Sequence, residues 1–242
     1  MLEDRGGWFN REVVEWFPGF ADLCFTEFGP VVKLWMTLNE PRETGVSGYG
    51  QSIAQGFNQS RLPAFTSKES ALVLGSSNFL GLNIYTAYLT YEDQGLDEVS
   101  YLCDSDTASE YSDSWVPSVS DWLDMAPFGL WWGLAWVARH YGPGPLYVTE
   151  NGFSDFFGNT DDLGRIYYLK HYINQLLKAV TLDNSKLGGY FAWSLLDNML
   201  LDTMKSGLNS LNFADPSRTR TANGFQDDGD ICLHQIISCL TF

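Results

Sequence analysis

Two glutamates stand beside asparagines in this chain, and each pair directly follows a short apolar run. Asn39 and Glu40 follow the run that begins at Val31, and Glu150 and Asn151 follow the run that begins at Leu146. An ionised carboxylate is costly to bury, so a carboxylate at the end of an apolar strand is either a solvated strand end or a chemical group. The residues alone favour neither interpretation.

Two carboxyl groups that face one another across a cleft can hydrolyse a glycosidic bond. One group donates a proton to the leaving oxygen, while the other attacks the sugar carbon or activates a water molecule. A separation of about 5–5.5 Å between them implies attack by the carboxylate and retention of configuration. This chemistry requires both side chains at one edge of the fold.

The elements that must position these side chains alternate between helix and strand. The pattern predicts helices over residues 11–28, 67–77, 127–142 and 163–180, and strands over 31–38, 79–91, 146–149 and 188–196. Continuous apolar strands separated by helices indicate a parallel sheet buried on both faces. The working residues of such sheets collect at the carboxyl ends of the strands, so Glu40, Asn83–Tyr85, Glu150 and Trp193–Asp197 are predicted on one rim.

Local signals predict where the helices begin and end. Ser67 is the expected cap of the second helix, Pro127 and Gly142 bound the third, and Pro18 is expected to kink or break the first. The acidic, Ser-rich stretch 92–121 is predicted as a long loop. The last helix is predicted to present one apolar face, formed by Ile166, Leu169, Ile173, Leu176, Leu177 and Val180.

The composition excludes several classes of function. The chain is 45% hydrophobic, which supports a true core, and its 242 residues suit one large domain or two small ones, close to the size of a minimal β/α barrel. A net charge of −16 argues against binding to nucleic acid or anionic membranes. No apolar run is long enough to span a membrane, and the first residues lack a signal-peptide pattern. The cysteines lack metal-site spacing, so no metal is predicted.

Several segments occur in an order that points to one family. These segments are TLNEP, NFLGLNIYT, VTENG, GRIYYLKHYINQLLKAV and GYFAWSLLDN. Together they resemble glycoside hydrolase family 1, the β-glucosidase and lactase group, and the resemblance identifies residues 1–221 as a partial catalytic domain and 222–242 as an unplaced tail. It implies an α/β fold, a partial (β/α)8 TIM barrel in which strands resembling the fourth, sixth, seventh and eighth are present.

The resemblance also implies roles for five residues. It makes Glu150 the nucleophile and Glu40 the acid/base of a retaining double displacement, which hydrolyses O-glycosidic bonds of β-glucosides or β-galactosides without a cofactor. Asn39 would bind the sugar hydroxyl beside the reacting carbon, Tyr85 would hold the nucleophile, and Trp193 would form part of the sugar floor. Taken singly, the two aromatic residues fit core positions equally well, and Asn39 fits a turn.

The resemblance has gaps that affect function. The family's first three β/α units and its fifth strand have no counterpart, and Met199–Leu201 stand where the family has a sugar-binding Glu and Trp. Four strands cannot close a barrel, so association through exposed sheet edges, with a partner fragment or a second copy, is expected. Two classes stay open: a β-glycosidase, and an inactive remnant with at most weak sugar binding. Full-length members are often secreted or membrane-anchored, and the sequence leaves the compartment of this chain open.

Overall fold

A computed structural model describes residues 5–7, 10, 12–43, 65–93, 107–142, 144–155, 162–195, 206–211 and 220–222. The chain forms two units, Met1–Gly50 and Gln51–Phe242. Residues 223–242, which make up nearly all of the predicted tail, lie outside the described residues, as do Asp197 and Met199–Leu201.

The first unit is built around one long helix. Helix α1 spans Val13–Phe28 and the short helix α2 spans Pro41–Glu43. Pro18 lies inside α1, but the helix continues to Phe28, so the expectation of a break was wrong. A proline removes one backbone hydrogen bond, and the remaining turns of this helix still form.

The strand predicted over 31–38 is not formed. The described part of the first unit contains no β-pairing, and the run opens as a turn in which the Val31 and Val32 amides both donate to the Phe28 carbonyl. Val31 is 78% exposed, and the apolar side chains at Leu34 and Leu38 are exposed as well. A strand satisfies its backbone only through a hydrogen-bonded neighbour, and no described residue supplies one here.

The second unit contains the remaining elements. In chain order they are α3 (Ser67–Val73), β1 (Leu80–Asn83), β2 (Leu89–Glu92), β3 (Thr107–Glu110), α4 (Phe128–Tyr141), β4 (Leu146–Glu150), α5 (Leu163–Thr181), β5 (Leu187–Tyr190), β6 (Asn209–Leu211) and β7 (Arg220–Ala222). None of the described helices is both long and apolar enough to cross a membrane.

A parallel sheet of three strands forms the centre of this unit. Its order is β1-β4-β5, so β4 has a parallel neighbour on each side. The predicted strand over 79–91 is instead two strands, because residues 84–88 leave the sheet and β2 pairs antiparallel with β3. Strand β3 lies within the predicted loop 92–121, and its polar sequence gave no strand signal. The last predicted strand, 188–196, is shorter and ends at Tyr190.

Helices α4 and α5 pack on the sheet and form the core with it. Their buried side chains join those of β4 and β5 in one cluster, which includes Leu130, Leu134, Val148, Tyr168, Tyr172 and Leu176. The predicted apolar face of α5 was partly wrong, since Ile166 is 37% exposed and Leu177 is 41% exposed. The helix also buries two tyrosines, whose hydroxyls donate to the Tyr85 carbonyl, and Arg165, which is paired with the Asp162 carboxylate.

The helix ends follow capping chemistry. Thr66, not Ser67, caps α3: its hydroxyl accepts from the Glu69 amide, and the Glu69 carboxylate accepts from the Thr66 amide. This reciprocal pair is a capping box, which satisfies two amides that the helix itself leaves unpaired. Helix α4 begins after Pro127 and ends before Gly142, whose φ of 87° suits glycine.

Candidate active site

The carboxyl ends of β1 and β4 bring two of the predicted site residues together. Asn83 pairs with Glu150 in the register of these strands, and the Ile84 amide donates to the Glu150 carbonyl. Tyr85 follows at once, and its hydroxyl donates to Oε2 of Glu150 at 2.6 Å. A contact this short is typical of a hydrogen bond to an ionised carboxylate. Parallel pairing therefore positions a phenol directly on the Glu150 side chain.

Asn151 links the strands behind Glu150. The residue is fully buried, and its side-chain amide donates to the Ile84 carbonyl at 2.6 Å and to the Tyr168 hydroxyl at 2.8 Å. Its side-chain oxygen accepts from the Tyr190 hydroxyl at 2.7 Å. One amide thus ties together β1, β4, β5 and α5. The sequence showed an asparagine beside the glutamate but gave no indication of these contacts.

Two stacked tyrosines of α5 form hydrogen bonds to the backbone of Tyr85. The rings of Tyr168 and Tyr172 lie 3.9 Å apart between centroids, and each hydroxyl donates to the Tyr85 carbonyl at 2.7 Å. Burial raises the pKa of Tyr168 well above its ordinary value and that of Tyr172 to about 12, so both remain neutral donors near neutral pH. Their spacing of four residues was the available signal, since it places both on one helical face.

Gly152 and Trp193 meet at the ends of β4 and β5. The Trp193 amide donates to the Asn151 carbonyl at 2.8 Å. A Cβ on Gly152 would lie only 1.8 Å from the Trp193 carbonyl oxygen, so the two backbones approach as closely as they do only because residue 152 has no side chain. Trp193 is 37% exposed and lies at the same end of the sheet as Glu150.

Asn39 and Glu40 belong to the first unit, and the structure gives their geometry within that unit. Asn39 is exposed, and Glu40 is half-buried immediately before α2. The φ of Glu40 is 43°, a left-handed conformation that is uncommon for residues other than glycine. The backbone therefore turns sharply at Glu40 before Pro41 begins the next helix.

A buried ion pair holds the segment that follows β5. Arg165 and Asp162 are both buried, with Nε 3.0 Å from Oδ2, and the guanidinium also donates to the Gly207 carbonyl. Residues 206–208 are held to Ser194 as well, because the Ser194 amide donates to Ser206 and the Leu208 amide donates to Ser194. This anchoring fixes the chain just beyond Trp193.

Comparison with known proteins gives a consistent result. The family model described as Glycosyl hydrolase family 1 matches residues 1–56 and 49–225. Lactase/phlorizin hydrolase of Homo sapiens is 30% identical over 97% of this chain, which spans only 18% of that protein. Myrosinase 1 of Brevicoryne brassicae is 31% identical over 91% of this chain and 69% of its own length.

Solved structures agree in fold. An aphid myrosinase superposes with a TM-score of 0.63 and 32% identity, covering 76% of this chain and 40% of that structure. A rice β-glucosidase reaches a TM-score of 0.80 at 24% identity, over 92% of this chain and 71% of that structure, and supports the α/β fold alone. With the match to the family model over most of its length, the chain belongs to glycosyl hydrolase family 1, a family of glycoside hydrolases.

Proposed function

We propose that this chain is a retaining β-glycosidase that acts on β-glucosides or β-galactosides, with Glu150 as the nucleophile and Glu40 as the acid/base. The observation that carries the proposal is the 2.6 Å hydrogen bond from Tyr85 to Glu150 at the carboxyl end of the sheet. A phenol that donates to one carboxylate oxygen stabilises the ionised form and orients the other oxygen for attack.

The reaction proceeds in two displacements. Glu150 attacks the anomeric carbon and forms a glycosyl ester, while Glu40 donates its proton to the departing oxygen. Water then attacks the same carbon, Glu40 takes the proton from that water, and the bond to Glu150 breaks. In this proposal Glu40 has given up its proton in the first displacement, so its carboxylate acts as the base in the second.

The remaining predicted residues contact the sugar in this proposal. Trp193 is partly exposed, and in this proposal the apolar side of a pyranose packs against its ring. Asn39 is exposed and adjacent to Glu40, which suits a hydrogen bond to the hydroxyl beside the reacting carbon. No step of this reaction requires a cofactor. The Glu40 carboxyl group transfers the proton in each displacement, and the Glu150 carboxylate forms the covalent bond to the sugar.

One observation favours the alternative, an inactive remnant with at most weak sugar binding. The run 31–38 forms no strand, so the described part of the first unit lacks the paired strand that would position Glu40. Within the described part of the chain, β1 and β5 are the outer strands of the sheet, and their edges are where a partner fragment or a second copy would complete the fold. The proposed activity then depends on that association.

The test combines turnover with covalent trapping. Purified chain is assayed with p-nitrophenyl β-glucoside over a range of protein concentrations, beside Glu150→Gln and the matched control Glu110→Gln, an exposed position in β3. Loss of the nucleophile should reduce turnover on the order of 10⁴-fold, whereas the control should match the wild type. A rise in specific activity with protein concentration would indicate completion by association.

Trapping distinguishes the two candidates. A 2-deoxy-2-fluoro-β-glucoside should leave a glycosyl group on the peptide that contains Glu150, detected by mass spectrometry. Labelling at Glu150 with turnover supports the glycosidase. Absence of both label and turnover at every protein concentration supports the remnant, and label on a different carboxylate would reject the assignment of Glu150.

A further inference from the structure

A continuous chain of hydrogen bonds runs through the core and ends at Tyr85. The Tyr190 hydroxyl donates to Asn151 at 2.7 Å, the Asn151 amide donates to the Tyr168 hydroxyl at 2.8 Å, and that hydroxyl donates to the Tyr85 carbonyl at 2.7 Å. All three bonds point in the same direction along the chain. Hydrogen bonds arranged in this way polarise and strengthen one another.

A second series of hydrogen bonds reaches the same carbonyl from Ala126, two residues before α4 begins. The Ala126 amide donates to the Tyr172 hydroxyl at 3.1 Å, and that hydroxyl donates to the Tyr85 carbonyl at 2.7 Å. The Tyr85 oxygen thus accepts from two phenols, which uses both of its lone pairs. The Asn151 side-chain amide also donates to the Ile84 carbonyl at 2.6 Å, so the successive carbonyls of Ile84 and Tyr85 both accept hydrogen bonds from buried side chains.

These contacts matter because Tyr85 lies beyond the end of β1. The last contact that continues the pairing of β1 with β4 is the bond from the Ile84 amide to Glu150, and residues 84–88 are irregular. The Tyr85 ring also meets the edge of Trp122, with 5.4 Å between centroids, but Trp122 is exposed. An edge contact between rings permits sliding, whereas two hydrogen bonds to one carbonyl fix the position of the residue.

We propose that Asn151, Tyr168 and Tyr172 are positioning residues that hold the Tyr85 hydroxyl against Glu150. All three are fully buried, so they do not contact substrate and act only through Tyr85. The significance of this device rests on the proposed function, in which Glu150 is the nucleophile. The device itself is defined by contacts within the second unit and can be tested without turnover.

The test measures the titration of the Glu150 carboxyl by NMR in protein labelled with ¹³C at glutamate side chains, with Glu150→Gln to assign the signal. Tyr85→Phe, which removes the contacting hydroxyl, should raise the pKa of Glu150, because a hydrogen bond to a carboxylate favours its charged form. Tyr168→Phe and the double variant Tyr168→Phe/Tyr172→Phe should raise it in the same direction, with the double variant approaching Tyr85→Phe.

The neighbouring Tyr167 supplies the matched control. Its side chain is 53% exposed and its ring contacts His171 rather than the residues that lead to Tyr85. Tyr167→Phe should leave the Glu150 titration unchanged. A role confined to stability would lower the melting temperature of Tyr168→Phe without moving this titration, so melting temperatures are measured in parallel.

The outcomes separate this proposal from the proposed function. If Tyr85→Phe shifts the titration but Tyr168→Phe does not, the positioning role is rejected, even where Glu150 is trapped by a glycoside. If Tyr168→Phe shifts the titration and no trapping occurs, the positioning role holds and the proposed function fails. Should the double variant not fold, the comparison of Tyr168→Phe with Tyr85→Phe and Tyr167→Phe decides the matter alone.

Discussion

The end of β4 and the segment 31–40 differ in structure although their sequences are alike. Each has an apolar run followed by a glutamate with an adjacent asparagine. In β4 the run is the central strand of a sheet, and Val148 is fully buried. In 31–40 the run forms no strand within the described residues, and its apolar side chains other than Trp35 are exposed. The local pattern identifies residues able to do chemistry, but distant partners decide whether they are held in place.

Alkaline pH should produce the largest effect on the buried region. Burial raises the pKa of Tyr168, Tyr172 and Tyr190, that of Tyr172 to about 12, whereas unfolded tyrosines titrate near 10. The folded state therefore binds more protons above pH 10, and its stability falls as pH rises through this window. We expect a loss of about 4 kcal/mol by pH 11, roughly 1.4 kcal/mol for each tyrosine.

Urea unfolding at pH 9, 10 and 11 checks this loss, with tyrosinate absorbance recorded beside circular dichroism. Tyr172→Phe serves as the control, and it should reduce the dependence on pH by about a third of the total. Ionisation of all tyrosines near pH 10 in a protein that stays folded and equally stable would contradict the burial of these hydroxyls.

A pair of leucine truncations compares the two regions directly. Leu134 is fully buried in α4, so Leu134→Ala should lower the free energy of unfolding by about 3 kcal/mol through lost burial and the cavity left behind. Leu34 is exposed, and Leu34→Ala should change it by less than about 0.5 kcal/mol. Chemical denaturation measures both. A cost at Leu34 as large as that at Leu134 would show that the 31–40 segment is buried in solution.

Substitution of Gly152 tests the close approach between the ends of β4 and β5. An added methyl would overlap the Trp193 carbonyl, so Gly152→Ala should destabilise the fold by about 2 kcal/mol and displace Trp193. Gly144 has open space around its Cβ position and is the matched control, with little expected change. Thermal melts and tryptophan fluorescence report the two effects, and equal behaviour of the two variants would reject the contact.

The smallest effect is expected in helix α3, an exposed element that depends on local bonds. Thr66→Ala removes the hydroxyl that accepts from the Glu69 amide and should cost about 1 kcal/mol of helix stability. Ser67→Ala, at the position predicted as the cap from sequence, should have little effect. Hydrogen exchange at the Glu69 amide measures both, and greater loss of protection in Ser67→Ala would reverse the assignment of the cap.

Much of the secondary structure was predictable because local rules determine it. Continuous apolar runs marked β4 and β5, and proline and glycine marked the ends of α4 to within a residue. The strand over 31–38 was predicted wrongly because an apolar run does not show whether a neighbouring strand is available to form hydrogen bonds with it. The buried face of α5 was partly wrong because hydrophobicity alone assigns tyrosine and arginine to the surface, whereas Tyr168 and Arg165 are satisfied inside.

For the candidate site, the sequence indicated candidate residues but not the contacts that support them. The predicted strand ends suggested Glu40 and Glu150, although the strand before Glu40 is not formed, and the resemblance to the family added Tyr85, which the structure shows in contact with Glu150. No sequence signal indicated that Asn151 and Tyr168 would converge on the residues beside Glu150. Those contacts join residues far apart in sequence, so they emerge only after the helix has packed on the sheet.

The anchoring of residues 206–208 to Ser194 and Arg165 leaves a stretch of chain with both ends pinned. Closing a longer span between two fixed points costs only about 0.6 kcal/mol for each doubling of its length. The stability of the sheet should therefore depend only weakly on the number of residues that join Leu195 to Ser206.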